Sequence, residues 1–161
     1  MHNVVILIGG NKGDILSTFQ MCINEIEKKG YIIKDKSAVY KSKSWGYESE
    51  NIFYNCAFVL ETSNNSQVVL NDMLNIETKL GRTRSATSKY EDRVIDIDIM
   101  FYNSEIVNEA NLIIPHPKLH LRNFCLVPLK EIIPDFVHPV LKKSIQVLSL
   151  ESIDSDSVAV L

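Results

Sequence analysis

Three arginines and a pair of aspartates two apart lie close together in the chain, in the segment GRTRSATSKYEDRVIDIDIMFYN from Gly81 to Asn103. Arg82 and Arg84 are two apart, Arg93 follows a polar loop, and Asp96 and Asp98 are again two apart. The ending VIDIDIMF alternates apolar and polar residues, the period of a half-buried strand. On such a strand Ile95, Ile97, Ile99 and Phe101 share one face and Asp96, Asp98 and Met100 the other. Two aspartates on one strand face are about 6–7 Å apart at Cα and point the same way. Aspartate is a poor strand former, so the pair asks for a reason. One reason is a hard cation, since adjacent carboxylates together with substrate phosphates make a common magnesium site. The other is a solvated strand whose polar side is acidic. Metal-binding carboxylates beside guanidinium forks are the equipment of phosphoryl transfer.

The elements that would position these groups follow from the local patterns. Val4 to Ile8 is a continuous apolar run that reads as a central strand. Gly9-Gly10-Asn11-Lys12-Gly13 reads as a tight strand-to-helix turn and lacks the ending of a Walker A loop. Asp14 is placed to cap a helix carrying Ile15, Phe19, Ile23 and Ile26, which closes at Lys28-Lys29-Gly30. Tyr31 to Tyr40 reads as a second strand and Ile52 to Thr62 as a third. Between them lies the loop KSKSWGYESEN, with the chain's one tryptophan, Trp45. That ring either staples the loop to the core or serves an interaction. Asn55 interrupts the third strand and needs a hydrogen-bonding partner, either backbone or a ligand. Val69, Met73, Ile76 and Leu80 mark a second helix ending at Gly81, with Glu77 beside Leu70 and Leu74 at the edge of its stripe. After the aspartate strand come a short return at Glu105 to Val107, the breaker Pro115-His116-Pro117, and helices over Cys125 to Ile132 and Ser144 to Leu150. A polar tail follows Glu151. His116 and His120 are four apart, but Pro117 intervenes and no nearby glutamate completes a zinc motif. The order strand, helix, strand, strand, helix, strand is the βαββαβ pattern of a ferredoxin-like α+β sandwich, here with extra C-terminal short helices.

Composition narrows the function classes. The chain has 161 residues, 45% hydrophobic and 23% charged, with a net charge of −3. That is globular composition for one domain spanning residues 1–161. A net negative charge supplies no field to recruit nucleic acid or an anionic membrane. No apolar run approaches a membrane span, and the apolar start lacks the basic flank and cleavage-like site of a signal peptide. The three cysteines, Cys22, Cys56 and Cys125, are widely spaced in apolar surroundings and read as buried thiols in a reducing cytoplasm. No long amphipathic seam is left over for oligomerisation, so a monomer is expected. Three activities stay open on the residues alone. They are a phosphoryl-type transferase, a non-catalytic nucleotide- or RNA-binding module of the same fold, and a metal-dependent phosphohydrolase using the same aspartates.

The combined pattern Arg-x-Arg, loop, Arg-x-x-Asp-x-Asp-Ile, Pro-His-Pro, Arg-x-Phe and Pro-Leu resembles the 6-hydroxymethyl-7,8-dihydropterin pyrophosphokinases of folate biosynthesis. The likeness runs from GGNKGD through the final helix. It implies transfer of pyrophosphate from ATP to the hydroxymethyl group of a reduced pterin, giving AMP. It implies two magnesium ions on Asp96 and Asp98, and transferred phosphates engaged by Arg82 and Arg93. It assigns Glu77, Arg84, Ile99, His116 and Arg122 to ATP. It assigns Trp45, Phe53 and Phe124 to the pterin faces, and Asn55, Ser42 and Lys43 to the pterin edge. The chain departs from the family in three places. Leu74 replaces a glutamine, Lys43 and Ser44 stand where a proline is usual, and Lys89-Tyr90-Glu91-Asp92 replaces Trp-Gly-Pro with one residue more.

Overall fold

A computed structural model describes residues 1–83 and 90–161. An antiparallel sheet forms the middle layer. Its spine is β5 (Asp96–Tyr102), β1 (His2–Gly10) and β4 (Phe53–Thr62), followed by β3 (Tyr40–Ser42) and β8 (Val158–Val160). β2 (Ile32–Lys36) pairs with the other half of β4. With β2 and β3 counted as one interrupted strand, the first four strands are ordered 4-1-3-2, and helices α1 (Ile15–Lys28) and α2 (Ser66–Lys79) join them into the βαββαβ unit. The expected second strand breaks at Ser37. There the backbone N–H donates to the Ala57 carbonyl and the hydroxyl accepts from the Ala57 N–H, each at 2.9 Å.

The central position of β1 explains its unbroken apolar run, because both of its faces are covered. Val4, Ile6 and Ile8 pack with Phe19, Cys22 and Ile26 of α1 and Val69, Met73 and Ile76 of α2. Val5 and Leu7 face the other way, toward α3 (Asn123–Ile132) and α4 (Ile145–Leu150), and join Cys125, Leu126, Leu129 and Leu148. The helix ends are where local sequence puts them. Asp14 accepts from Ser17 N–H at 3.2 Å, Asn65 from Val68 N–H at 3.0 Å, and Gly30 and Gly81 take positive φ just past the last turns. Each side-chain cap stabilises its helix by about 1 kcal/mol.

Four expectations change. A bulge in β5 pairs Ile6 with Ile99 but Val5 with Phe101, leaving Met100 as the extra residue. The phase of the strand therefore flips, and Phe101 packs with the α3/α4 core rather than with Ile99. Gly9 and Gly10 are strand residues, not a turn. Glu77 is buried within the helix stripe at 2% exposure, and Leu74 is outside it at 40%. The tail after Glu151 is not merely polar, because β8 adds to β3, pairing Tyr40 with Val160. The short return is a hairpin of β6 (Val107–Glu109) and β7 (Leu112–Ile114).

The C-terminal core contains a titrating group with a readable consequence. His138 is buried, its ring meets Phe101 at 5.6 Å, and its Nδ1 accepts from the N–H groups of Val140 and Leu141 at 3.2 and 3.0 Å. Burial, aided by His120, lowers its pKa to about 4. Between the ordinary imidazole value near 6.5 and about 4, the unfolded chain binds a proton that the folded one does not. Stability therefore falls as pH drops through that window, by about 3 kcal/mol. His138→Asn keeps an acceptor without titrating. Urea melts at pH 7 and pH 4.5 should show a larger loss for the parent than for this variant, and equal losses would refute the assignment.

Candidate active site

The strand register lays the site out. Gly9 of β1 pairs with Asn55 of β4 on one side and Asp96 of β5 on the other, and Leu7 pairs with Asp98. Asn55 and Asp96 thus stand two strands apart, about 10 Å at Cα, across a floor that has no side chain. The floor must be glycine, because a Cβ on Gly9 would lie 2.4 Å from Asn55 Oδ1 and one on Gly10 2.6 Å from the Val94 carbonyl oxygen.

Two clefts meet at the aspartates. One runs over Leu7 and Gly9 to Asn55 and is walled by Trp45, Phe53 and Phe124. The other is bordered by Arg82, Lys118 and His116. Asp96, Asp98, Arg93, Arg122 and Tyr90 line both. The first suits a flat aromatic ligand with a polar edge. The second has the cations and carboxylates that suit a polyphosphate and its metal.

Asp96 is held by two guanidinium groups. Arg82 Nη1 lies 2.5 Å from Asp96 Oδ1, and Arg93 Nη2 lies 3.4 Å from Asp96 Oδ2. The same Arg82 nitrogen donates to Glu77 Oε1 at 2.9 Å and to the Ile95 carbonyl at 3.2 Å. Arg82 is therefore a buried bridge from α2 to β5, unlike exposed pairs such as Lys143–Glu151, which contribute little. Among the described residues Asp98 pairs with no arginine in this way, and the basic side chain within 4.0 Å of it is His116, whose Nε2 is 4.0 Å from Asp98 Oδ2. Burial, with the charges of Asp96 and Glu77, pushes the Asp98 carboxyl well above the ordinary carboxylate range. Burial and the Arg122 charge lower His116 to about 4, so His116 is neutral and cannot offset Asp98. Among the described residues no charged cation stands within 4.0 Å of Asp98, and a divalent ion there would favour its charged form.

The aromatic wall is equally particular. The Arg122 guanidinium lies 4.4 Å from the Trp45 ring centroid and 5.4 Å from that of Phe124, while Arg93 lies 5.1 Å from Phe53. Trp45 packs on the cleft, edge-on to Tyr90 at 6.3 Å, rather than stapling its loop to the core. Asn55 is buried and turns its amide into the cleft. Lys43 lines the cleft rim, and the buried Ser42 hydroxyl has no partner among the described residues. The Nε atoms of Arg82, Arg93 and Arg122 are likewise buried without one.

The structure thus brings together Arg82, Arg93, Asp96, Asp98, His116, Arg122, Lys43, Trp45, Phe53, Asn55 and Phe124. Glu77 stands behind Arg82, and Ile99 packs beneath α1 and α2. Neither lines either of the two clefts. Arg84 lies outside the described residues. His116 turns to Asp98 while His120 faces His138 at 6.5 Å, so the two histidines serve different neighbours. Sequence reasoning did not single out Lys118, Tyr47 or Asn11. Lys118 Nζ and Arg122 both reach the Tyr90 hydroxyl. The signal available was weak, a lysine and a tyrosine in loops without periodicity.

Fold and site together define a ferredoxin-like α+β protein whose cleft is equipped for a phosphorylated ligand beside a flat aromatic one. Residues 5–134 match the family described as 7,8-dihydro-6-hydroxymethylpterin-pyrophosphokinase (HPPK), and the chain belongs to that family. It is 36% identical over 146 residues to the 2-amino-4-hydroxy-6-hydroxymethyldihydropteridine pyrophosphokinase of Aquifex aeolicus, covering 91% of this chain and 89% of that one. The Synechocystis protein of the same name is 35% identical over 158 residues, 98% of this chain and 79% of the other. A folic acid synthesis protein of Dictyostelium discoideum is 37% identical over 141 residues, 87% of this chain, but this chain spans only 21% of its length. The fold also matches a crystal structure of Plasmodium falciparum HPPK-DHPS with a TM-score of 0.72 at 19% identity, covering 94% of this chain and 43% of that one.

Proposed function

We propose that this protein transfers the pyrophosphoryl group of ATP to 6-hydroxymethyl-7,8-dihydropterin, giving AMP and the pterin diphosphate, as a step of folate biosynthesis. The observation that carries the proposal is the placement of Asp96 and Asp98 on one strand face where an aromatic cleft and a cationic cleft meet. The reading treats residues 1–161 as one pyrophosphokinase domain acting as a cytoplasmic monomer. Buried, free Cys22, Cys56 and Cys125 support the reducing compartment. No helix among the described residues is long and apolar enough to cross a membrane.

In this reading the pterin lies in the aromatic cleft with its edge at Asn55, Ser42 and Lys43, and its faces against Trp45, Phe53 and Phe124. Its hydroxymethyl group then points along the glycine floor toward Asp96. ATP takes the cationic cleft, its phosphates against Arg82, Arg93, Arg122 and Lys118, with His116 beside Asp98. Asp96 and Asp98 would hold two magnesium ions, which neutralise phosphate charge and align the reacting oxygens. The hydroxymethyl oxygen attacks the β-phosphorus, the bond from that phosphorus to the α–β bridging oxygen breaks, and AMP leaves with that oxygen. The hydroxyl proton passes to solvent or the leaving phosphate. Arg82 neutralises Asp96 and Glu77 in the free protein and offers the same guanidinium to the incoming phosphates. Glu77 acts on ATP through Arg82, and the resemblance assigns Arg84, outside the described residues, to ATP as well.

ATP labelled at the γ-phosphorus tests the proposal. The label should move to the pterin as AMP appears, whereas a hydrolase would release it to water and a simple kinase would leave ADP. The glycine floor gives a second test. Gly9→Ala places a methyl group against Asn55, and displacing one hydrogen-bonding amide should raise the pterin KM about tenfold while the ATP KM changes little. An unchanged pterin KM would remove Asn55 from the pterin site.

A further inference from the structure

One polar cluster outside the groups placed against substrate joins three stretches far apart in sequence. Asp92 Oδ1 accepts from Asn11 Nδ2 at 2.8 Å and from the Tyr47 hydroxyl at 2.9 Å, and Asp92 Oδ2 accepts from Asn51 Nδ2 at 2.8 Å. Asn11 is buried, and its Oδ1 accepts from the Arg93 N–H at 2.8 Å while its own N–H donates to the Arg93 carbonyl at 2.9 Å. The Tyr47 ring meets Phe53 edge-on at 6.1 Å, and Phe53 in turn carries the Arg93 guanidinium at 5.1 Å. The circuit therefore closes: carboxylate to tyrosine, tyrosine to phenylalanine, phenylalanine to arginine, arginine to asparagine, asparagine to carboxylate.

Three side chains of this circuit face the aromatic cleft. Tyr47, Phe53 and Arg93 all line it. The carboxylate suits the task because an ionised acceptor makes stronger hydrogen bonds than a neutral one and takes several at once. Burial opposes its charge, but the hydrogen bonds from Asn11, Ser49, Tyr47 and Asn51 outweigh burial and hold its pKa at about 2. It stays ionised wherever the protein is folded and working. The loop it fastens, residues 43–52, lacks the proline that the resembling family carries there, so side-chain bonds must supply what a stiff backbone would.

We propose that Asp92 is a positioning residue that locks the 43–52 loop to Asn11 and Arg93, so that the pterin wall and the phosphate-side arginine are set as one unit. The proposal rests on the pyrophosphokinase reading of the cleft. Asp92 touches no substrate. It acts through Tyr47 and Phe53 on the pterin side and through Asn11 on Arg93.

The test compares Asp92→Ala, Asp92→Asn, Tyr47→Phe and the double variant Tyr47→Phe/Asp92→Ala with the parent. Pterin and ATP KM are measured separately, and acrylamide quenching reads the exposure of Trp45, the chain's one tryptophan. Losing hydrogen bonds to a charged group corresponds to about 10- to 100-fold. Asp92→Ala should raise the pterin KM by about tenfold or more, increase Trp45 quenching and, through the displaced Arg93, lower kcat by about tenfold, with an ATP KM within about twofold of the parent because Arg82, Arg122 and Lys118 still hold the phosphates. Tyr47→Phe should show a smaller rise, and the double variant should match Asp92→Ala, because both changes cut one circuit. Asp92→Asn keeps one oxygen acceptor and should recover most of the loss. A lowered melting temperature with unchanged KM values and unchanged quenching would reduce Asp92 to a structural tie and overturn the proposal. Multiplying effects in the double variant would overturn it too. If the parent makes no AMP at all, the enzyme reading fails, and the quenching series still decides whether Asp92 orders the loop.

Discussion

Asp98→Ala should lower kcat for AMP formation by about 10³-fold or more while leaving the fold in place. Asp98 is the carboxylate with no ion-paired arginine among the described residues. Burial and two neighbouring acids push it toward its neutral form, and neutral His116 offers no compensation. A group in that position destabilises the folded chain and persists because of what it binds. Alanine should therefore cost little stability, and the melting temperature should stay level or rise. Asp96→Ala should also abolish transfer, but with a measurable loss of stability, because Asp96 is paired with Arg82 and Arg93. The contrast separates the metal reading from a solvated acidic face. On a solvated face both changes would leave rate and stability almost untouched. Retention of full activity in both variants would remove the aspartates from the mechanism.

Arg82→Ala should have the second-largest effect, on both activity and stability. The guanidinium is nearly buried between Glu77 and Asp96. Deleting one member of a buried ion pair costs about 3 kcal/mol, because the remaining carboxylate keeps its desolvation and loses the guanidinium. Transfer should fall by about 10²- to 10³-fold, the range for removing one preorganised donor to a transition-state charge. A second substitution separates the two losses. Glu77→Gln added to Arg82→Ala removes the buried charge and should restore most of the stability but none of the rate. Recovery of activity by Glu77→Gln would show that Arg82 serves only to neutralise Glu77, and the phosphate role would fall.

Both predictions rest on features that the sequence discloses unevenly. The aspartate pair is legible because strand periodicity is local, and two acids two apart on a strand need no partner to be noticed. The helix caps at Asp14 and Asn65 are legible for the same reason. The bulge at Met100 is not, since it arises from the register with Val5 and Ile6 of β1, and it sends Phe101 to the opposite core. Glu77 reads as a stripe-edge residue because helical spacing alone puts it beside Leu74. Its burial depends on Arg82 folding back from five residues on. Gly9 and Gly10 read as a turn because glycine pairs usually mark one. Their purpose is the close approach of Asn55 and the Val94 carbonyl, which only the three paired strands create. β8 is three residues long and pairs with β3 across more than a hundred residues, so no window around it carries the signal. Asp92 lies in an aperiodic polar loop, and its partners come from two other stretches of chain. What depends on neighbours in sequence could be read, and what depends on long-range register or on a closed circuit of side chains could not.

The most direct measurement is AMP formation with magnesium and ATP, in the presence and absence of 6-hydroxymethyl-7,8-dihydropterin. AMP and pterin diphosphate should form in equal amounts when the pterin is present, and neither product without it. ADP as the product, or AMP formed equally well without the pterin, would contradict it.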